Sequence, residues 1–273
     1  DGNTCPEIIT RTYSVTDDCG NSINVTQTIT VNDLTIPTMT APAAINVECI
    51  SDVPAAYANY VQWTSAGGTA SDNCGLNTAS FTLVNQVSDG NACPETITRT
   101  YQIEDNCGNI GSVAHTIVVD DITPPVLTSP APLNVECNAD IPVPYVSLPA
   151  FELAGGTATD NCGIDNSSFT WISDVSDGNT CPEVVTRTYE VADNCGNASQ
   201  ITQTITVNDL TPPTASDPAP VNVECAGDVP APDITVVTDE ADNCGGTPTV
   251  AFVSDVSDRS EERRVGKECA TGC

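Results

Sequence analysis

The sequence predicts an all-β chain of tandem antiparallel β-sandwich repeats, and three observations carry the prediction. The stretch Asp177–Asn197, DGNTCPEVVTRTYEVADNCGN, recurs in the same frame from Asp1 and Asp89, a period of 88 residues; a fixed long period means one structural unit repeated along the chain. Within the period, runs rich in Thr, Val, Ile and Tyr alternate with period two between clusters of Gly, Pro, Asn and Asp, the pattern of short half-buried strands joined by turns. Cysteine returns to four fixed places: Cys5, Cys93 and Cys181; Cys19, Cys107 and Cys195; Cys49, Cys137 and Cys225; Cys74, Cys162 and Cys244.

Taken in order, residues 1–35 are the back half of a unit, 36–122 and 123–210 are complete units, and 211–258 are the front half of a fourth. The frame starts and stops inside a unit, and the chain is read as part of a longer one. Boundaries fall at NDLTIP, DDITPP and NDLTPP, where Pro ends a strand and stiffens the junction. In the unit 36–122 a first strand covers Ile45–Cys49, and further strands cover 79–87, 95–104 and 111–119. Ile97, Arg99, Tyr101 and Ile103 share one face of the third of these, and Thr96, Thr98, Thr100 and Gln102 the other. Trp63 and Phe151 occupy one repeat position, Leu83 and Trp171 another, and both positions are expected in the core. Residues 259–273, RSEERRVGKECATGC, break the pattern and hold four of the seven basic residues. They resemble a translated sequencing-library adapter and are read as a non-native tail.

A formal charge of −30 and a pI of about 4.1 exclude nucleic acid and anionic membrane surfaces as partners. No apolar run reaches the roughly 18 residues of a membrane span, so this segment is not expected to insert in a membrane. Regular Cys in an acidic chain indicates an oxidising, extracellular or cell-surface setting. Without a CxxC pair, and with His115 as the only histidine, thiolate zinc is not expected. No nucleophile elbow, HExxH or phosphate loop is present, and the chain is read as not an enzyme.

Strand direction suggests the disulfides. If each unit runs from a leading to a trailing pole, the strand 111–119 runs forward, 95–104 back and 79–87 forward. Cys74 and Cys107 then share the leading pole, and Cys49 and Cys93 the trailing one. The expected pairs are Cys49–Cys93 and Cys74–Cys107, repeated as Cys137–Cys181 and Cys162–Cys195. Cys93 and Cys107 sit at opposite ends of one strand, about 40 Å apart, beyond disulfide reach. Cys5, Cys19, Cys225 and Cys244 are left without partners.

Outside the tail the basic residues are Arg11, Arg99 and Arg187. A hairpin centred on the DNCG cysteine sets Arg99 opposite His115, and Arg11 and Arg187 opposite Gln27 and Gln203, which reads as a structural polar pair. Acid collects at the junctions: Asp33, Asp120, Asp121 and Asp209, joined by Asp72 and Asp105, or Asp160 and Asp193, from the leading-pole turns of the following unit. Hard cations take such oxygen clusters, and calcium is the candidate cofactor.

The order TPP, NVEC, DNCG, CPE, TRTY, DNCGN, TITVND across residues 1–258 resembles the hyalin (HYR-type) repeat, an immunoglobulin-like module. It is most similar to the forms in secreted surface and gliding-motility-associated adhesins of Bacteroidetes-type bacteria. The chain departs from related repeats in having Ala41 and Val25 where those often carry a Cys pair. The resemblance implies tandem Ig-like β-sandwich repeats arranged end to end, serving as a structural or adhesive stalk segment. Its implied partners are other repeats of the same parent chain and surface glycans or proteins. The alternative it leaves is a calcium-dependent adhesion module, or a carbohydrate-binding accessory module of a larger extracellular enzyme.

Overall fold

The computed structural model describes residues 5–224 and 226–256; Cys225 and the tail 259–273 lie outside the described residues. Contacts group the chain into two units: Asp1–Thr128 with Val146–Thr170 and Tyr189–Ile201, and Ser129–Tyr145 with Trp171–Thr188 and Thr202–Cys273. The fold is all-β and sandwich-like.

The first unit opens on a hairpin of β1 (Glu7–Thr16) and β2 (Ser22–Val31), paired in register from Glu7↔Val31 to Thr16↔Ser22. Then come β3 (Thr38–Thr40), β4 (Ile45–Val47), helix α1 (Tyr60–Ser65), β5 (Thr69–Ser71), β6 (Leu76–Ser88), β7 (Glu95–Asp105) and β8 (Ile110–Val119). They form a four-stranded sheet, β4-β8-β7-β6, and a two-stranded sheet, β3-β5. One pairing differs from the all-antiparallel expectation: β4 runs parallel to β8, because both strands travel from the leading to the trailing pole. The period-two alternation of β7 buries Ile97, Arg99, Tyr101, Ile103 and Asp105.

Helix α1 is the element that alternation hides. Asn59 caps its N-terminus by accepting from the Gln62 N–H, and Gly67, at φ 98°, ends it, a conformation Gly adopts without a Cβ penalty. The helix carries Trp63 between the two sheets, fully buried against Tyr57, Phe81 and Tyr101. Gly68 lies under the indole, where an added Cβ would stand 2.3 Å from Trp63 Nε1. Gly68→Ala is therefore expected to cost about 1–3 kcal/mol, read as a lower urea midpoint at unchanged slope.

The next period repeats the arrangement with β9 (Val126–Thr128), β10 (Leu133–Val135), α2 (Leu148–Leu153), β11 (Thr157–Thr159), β12 (Thr170–Ser176), β13 (Glu183–Ala192) and β14 (Ala198–Val207). In the first unit β11 pairs with β9, and Phe151 of α2 packs against the rings of Phe169, tilted, and Tyr189, edge-on, in the place that Trp63 takes earlier. In the second unit β10 pairs in parallel with β14 from Leu133↔Ile205 to Val135↔Val207. Trp171 corrects the core expectation. It is 45% exposed, and its indole N–H donates to Asp174 at 3.0 Å, which is open to an edge position rather than the interior. Among the described residues of 211–256 there are an isolated bridge, Thr214↔Ala241, and two short 3-10 turns, but no strand.

Candidate cation sites at the repeat junctions

Two carboxylate triads stand out, both in the first unit. Asp33 follows β2, Asp72 follows β5 and Asp105 ends β7; one oxygen from each lies within 4.8 Å of the other two, and Asp121, Asp160 and Asp193 do the same one period on. Each triad thus joins the end of one repeat to two turns of the next. Asp120, the other junction candidate, is exposed and stands outside the triad. Asp209 is half-buried in the second unit, and its carboxylate accepts from the Thr211 N–H at 2.9 Å.

Local turn chemistry aims these groups. Asp105 Oδ1 accepts from the N–H groups of Cys107 and Asn109 at 2.7 and 2.8 Å, and its Oδ2 accepts from the Asn109 side chain at 2.7 Å. Asp193 is held the same way by Cys195 and Asn197. Asp72 and Asp160 each accept from the N–H two residues on, at 2.8 Å, and Asp33 and Asp121 accept from Thr35 and Thr123. These are Asx turns. They use one side of most carboxylates and leave Oδ2 of Asp33, Asp72 and Asp160 buried with no hydrogen-bond partner. The Asn109 amide also donates to the Asp33 carbonyl, and the Asn197 amide to the Asp121 carbonyl, so the turn of one repeat is bolted to the end strand of the preceding one.

The electrostatics need a counter-charge. Two carboxylates this close repel by roughly 3 kcal/mol at an effective dielectric constant of 20. No basic side chain among the described residues answers them. Arg187 is committed to Asp174 at 2.7 Å, and Arg99 donates to Gln86 at 2.8 Å. A buried carboxylate oxygen without a donor, among other carboxylates and backbone carbonyls, is a donor set suited to a hard divalent cation.

Burial opposes ionisation of Asp105, but the Asn109 side chain and the backbone N–H groups outweigh it and hold its pKa below the ordinary 3.8; Asp193 is lowered by the equivalent balance. A carboxyl whose folded pKa is depressed contributes stability above its unfolded value and loses it as pH falls through the folded one. Lowering the pH from 7 to below about 4 is thus expected to lower the thermal midpoint, and Asp105→Asn to flatten that dependence. A midpoint indifferent to acid would contradict this.

The disulfides correct the expected pairing. The bonds are Cys5–Cys107, Cys49–Cys162 and Cys93–Cys195 in the first unit and Cys137–Cys244 in the second, with Cα separations of 5.0, 5.1, 5.3 and 4.9 Å. None of Cys49–Cys93, Cys74–Cys107, Cys137–Cys181 or Cys162–Cys195 forms, and Cys5 and Cys244 are bonded after all. The physical reason lies in the junction. Asn109 and Asn197 seat the leading-pole turn of a repeat on the end strand of the preceding repeat, so the nearest thiol to Cys107 or Cys195 belongs to that preceding repeat. Cys19, Cys74 and Cys181 are free and exposed.

The polar positions are structural in setting. Arg99 lies opposite His115 and Arg11 opposite Gln27. His115 meets the Ala43 carbonyl at 3.1 Å, and Gln203 donates to the Ala131 carbonyl at 2.8 Å. Sequence reasoning missed Glu48 and Glu136, which take Asn161 and Asn243 across their junctions at 2.8 and 3.0 Å. The recurrent E-C of NVEC was their signal.

Residues 37–119 match the HYR-like domain with 4 cysteines. No curated protein matches the sequence. Among solved structures, the chain is similar to protocadherin gammaB7 EC3-6 (12% identity, 74% of this chain and 60% of that one, TM-score 0.27). It is also similar to protocadherin gamma B2 cadherin domains 3-6 (12%, 76% and 60%, 0.27) and to the human desmocollin-1 ectodomain (13%, 75% and 48%, 0.26). The chain spans about 60% of the length of the first two.

Proposed function

We propose that this chain, whose residues 37–119 are a HYR-like domain, is an extracellular adhesion-type module working as a stalk segment of a secreted bacterial cell-surface protein. Its repeats are laced to one another by disulfides and stiffened at the junctions by calcium. The observation that carries the reading is that every disulfide among the described residues joins a repeat to the next one. A bond inside a repeat protects that repeat; a bond between repeats protects the spacing of the chain under load. The overlapping loops from Cys5 to Cys244 leave little backbone free to extend.

Single-molecule stretching tests it. Reduction is expected to release the segment from Cys5 to Cys107, a sequence separation of 102, to a contour of about 340 Å at the extended limit, and the unreduced chain to show far less. Equal extension in both states would remove the stalk reading. Calcium is tested by thermal melts: at about 100 times its dissociation constant a single bound ion raises stability by about 2.7 kcal/mol. A melting midpoint indifferent to chelator would remove the cation from the account. Glycans and surface proteins are the proposed partners of adhesion, engaged weakly and through many copies.

A further inference from the structure

The bridges and the carboxylate triads are built from the same turns. Asp33 follows the end of β2 and Cys5 precedes the start of β1, the two ends that Glu7↔Val31 pairs. The Asp33 N–H donates to Cys5 Sγ at 3.4 Å. Cys107, in the turn that Asp105 opens, donates its N–H to Asp105 Oδ1 at 2.7 Å. The Cys5–Cys107 bond is therefore a covalent tie between the two elements that aim Asp33 and Asp105 at one point. One period on, Asp121 follows the end of β8, which pairs with β4 at Val47↔Val119 and with β7 at Glu95↔Val119. Cys49 comes just after that end of β4, and Cys93 just before that end of β7. Their bonded partners, Cys162 and Cys195, donate their N–H groups to Asp160 Oδ1 and Asp193 Oδ1, each at 2.8 Å. Two bonds thus fasten Asp160 and Asp193 to the strand end that carries Asp121. The Asn161 amide spans the join, donating to Cys162 Sγ, Cys49 Sγ and Asp121 Oδ1 at 3.1, 3.5 and 3.4 Å.

A cation at either triad needs what these bonds enforce. Asp33 is only 8% exposed and its Oδ2 has no hydrogen-bond partner, and Oδ2 of Asp72 and of Asp160 is equally unpartnered and buried. These are acceptors that a divalent cation satisfies. The oxygens that converge within 4.8 Å repel one another and come from distant points of the chain. Gathering them costs loop-closure entropy. With the bonds closed, that cost is met before an ion arrives; with the bonds open, it falls on the ion. The ion's affinity for the two forms must then differ. By reciprocity, an ion that prefers the bonded form makes the bonds harder to reduce by the same factor.

We propose that each triad is a redox-linked cation site: the inter-repeat bridges close it, and a bound divalent cation protects the bridges beside it from reduction. The linkage rests on the cation reading given above. Opening a bridge takes two electrons and two protons. Two glutathione thiols supply them and become oxidised glutathione, and two cysteine thiols result. The freed turn then moves off the strand end, the carboxylates part and the ion leaves. A reducing encounter loosens the junction and empties it together, and calcium holds the junction closed against the same reductant.

The test brings the full chain to equilibrium in a glutathione redox buffer, with calcium or with chelator. Thiols are trapped by alkylation, and a non-reduced peptide map gives the open fraction of each bridge. Cys137–Cys244, whose cysteines belong to the turns of neither triad, is the internal reference. Calcium is expected to lower the open-to-closed ratio of Cys5–Cys107, Cys49–Cys162 and Cys93–Cys195 by at least about 5-fold, the low end of ordinary coupling, and to leave the reference unchanged. Asp72→Asn and Asp160→Asn locate the effect. Each keeps the oxygen that accepts from the N–H of Cys74 or Cys162 and replaces the oxygen that has no partner, so the turn stands while the triad loses a charge. Asp72→Asn is expected to abolish the calcium shift at Cys5–Cys107 alone, and Asp160→Asn at Cys49–Cys162 and Cys93–Cys195 alone. Equal protection of all four bridges is general stabilisation and overturns the linkage. Unchanged ratios at the three bridges, in a chain that takes up calcium in a calorimetric titration, overturn the linkage and leave the cation reading standing. A titration without binding removes both.

Discussion

Trp63→Ala is expected to lower the stability of the repeat 36–122 by about 3–5 kcal/mol. The side chain is fully buried. It contacts the rings of Tyr57, Phe81, Tyr101 and His115, with centroids 5.6, 5.5, 4.9 and 6.2 Å away. The indole is the centre of the cluster that Phe81, Tyr101 and Ile103 form with Tyr57, Tyr60 and Leu83 around it, so its removal leaves a cavity that these rigid rings fill only in part. A small domain has a total stability of only about 5–15 kcal/mol, so the variant is close to unfolded at ambient temperature. Trp63→Phe is the control: Phe151 does the same work one period on, and the Trp63 indole N–H has no partner to lose. Denaturant unfolding followed by tyrosine fluorescence reads both. A loss below about 1 kcal/mol for Trp63→Ala would mean that the core lies elsewhere.

Replacing Cys49 and Cys162 together by Ala is expected to cost about 4–5 kcal/mol in the chain-entropy account. The bond closes a loop of 113 residues in the unfolded chain, and removing both thiols leaves neither to form a wrong bond. The effect belongs to two successive repeats at once. The double variant is therefore expected to melt repeats 36–122 and 123–210 over separate transitions where the parent chain melts them together. A calorimetric scan resolves the two cases, and an unchanged single transition would show that this bond does not couple the repeats.

These two expectations differ in how far the residues alone foretell them. The strands were legible because β7 and β8 alternate cleanly, and Tyr101, Ile103 and Ile117 are buried as their parity requires. The converging acids were legible too: Asp33, Asp72 and Asp105 recur at fixed offsets in turn-forming sequence. The helices were not. The six residues of Tyr60–Ser65 are too few to show a 3.6-residue period, and only the cap residue Asn59 and the Ala-Gly-Gly stop mark them. Trp171 departs from the core expectation because size alone does not bury an aromatic ring, and its neighbour Asp174 gives its indole N–H a partner at the edge. The disulfides misled for a different reason. Strand direction places a cysteine at a pole, but every pole faces a neighbouring repeat as well as its own, and only the seating of Asn109 and Asn197 decides between them.

The central claim is that the bridges run from repeat to repeat, and a non-reduced peptide map of the oxidised chain tests it most directly. Thiols are blocked with an alkylating agent, the chain is cut without reduction, and the linked peptides are identified by mass. The account predicts Cys5–Cys107, Cys49–Cys162, Cys93–Cys195 and Cys137–Cys244, with Cys19, Cys74 and Cys181 alkylated in the monomer. Finding Cys49 joined to Cys93 and Cys74 joined to Cys107 would contradict it and return each bond to the inside of a single repeat.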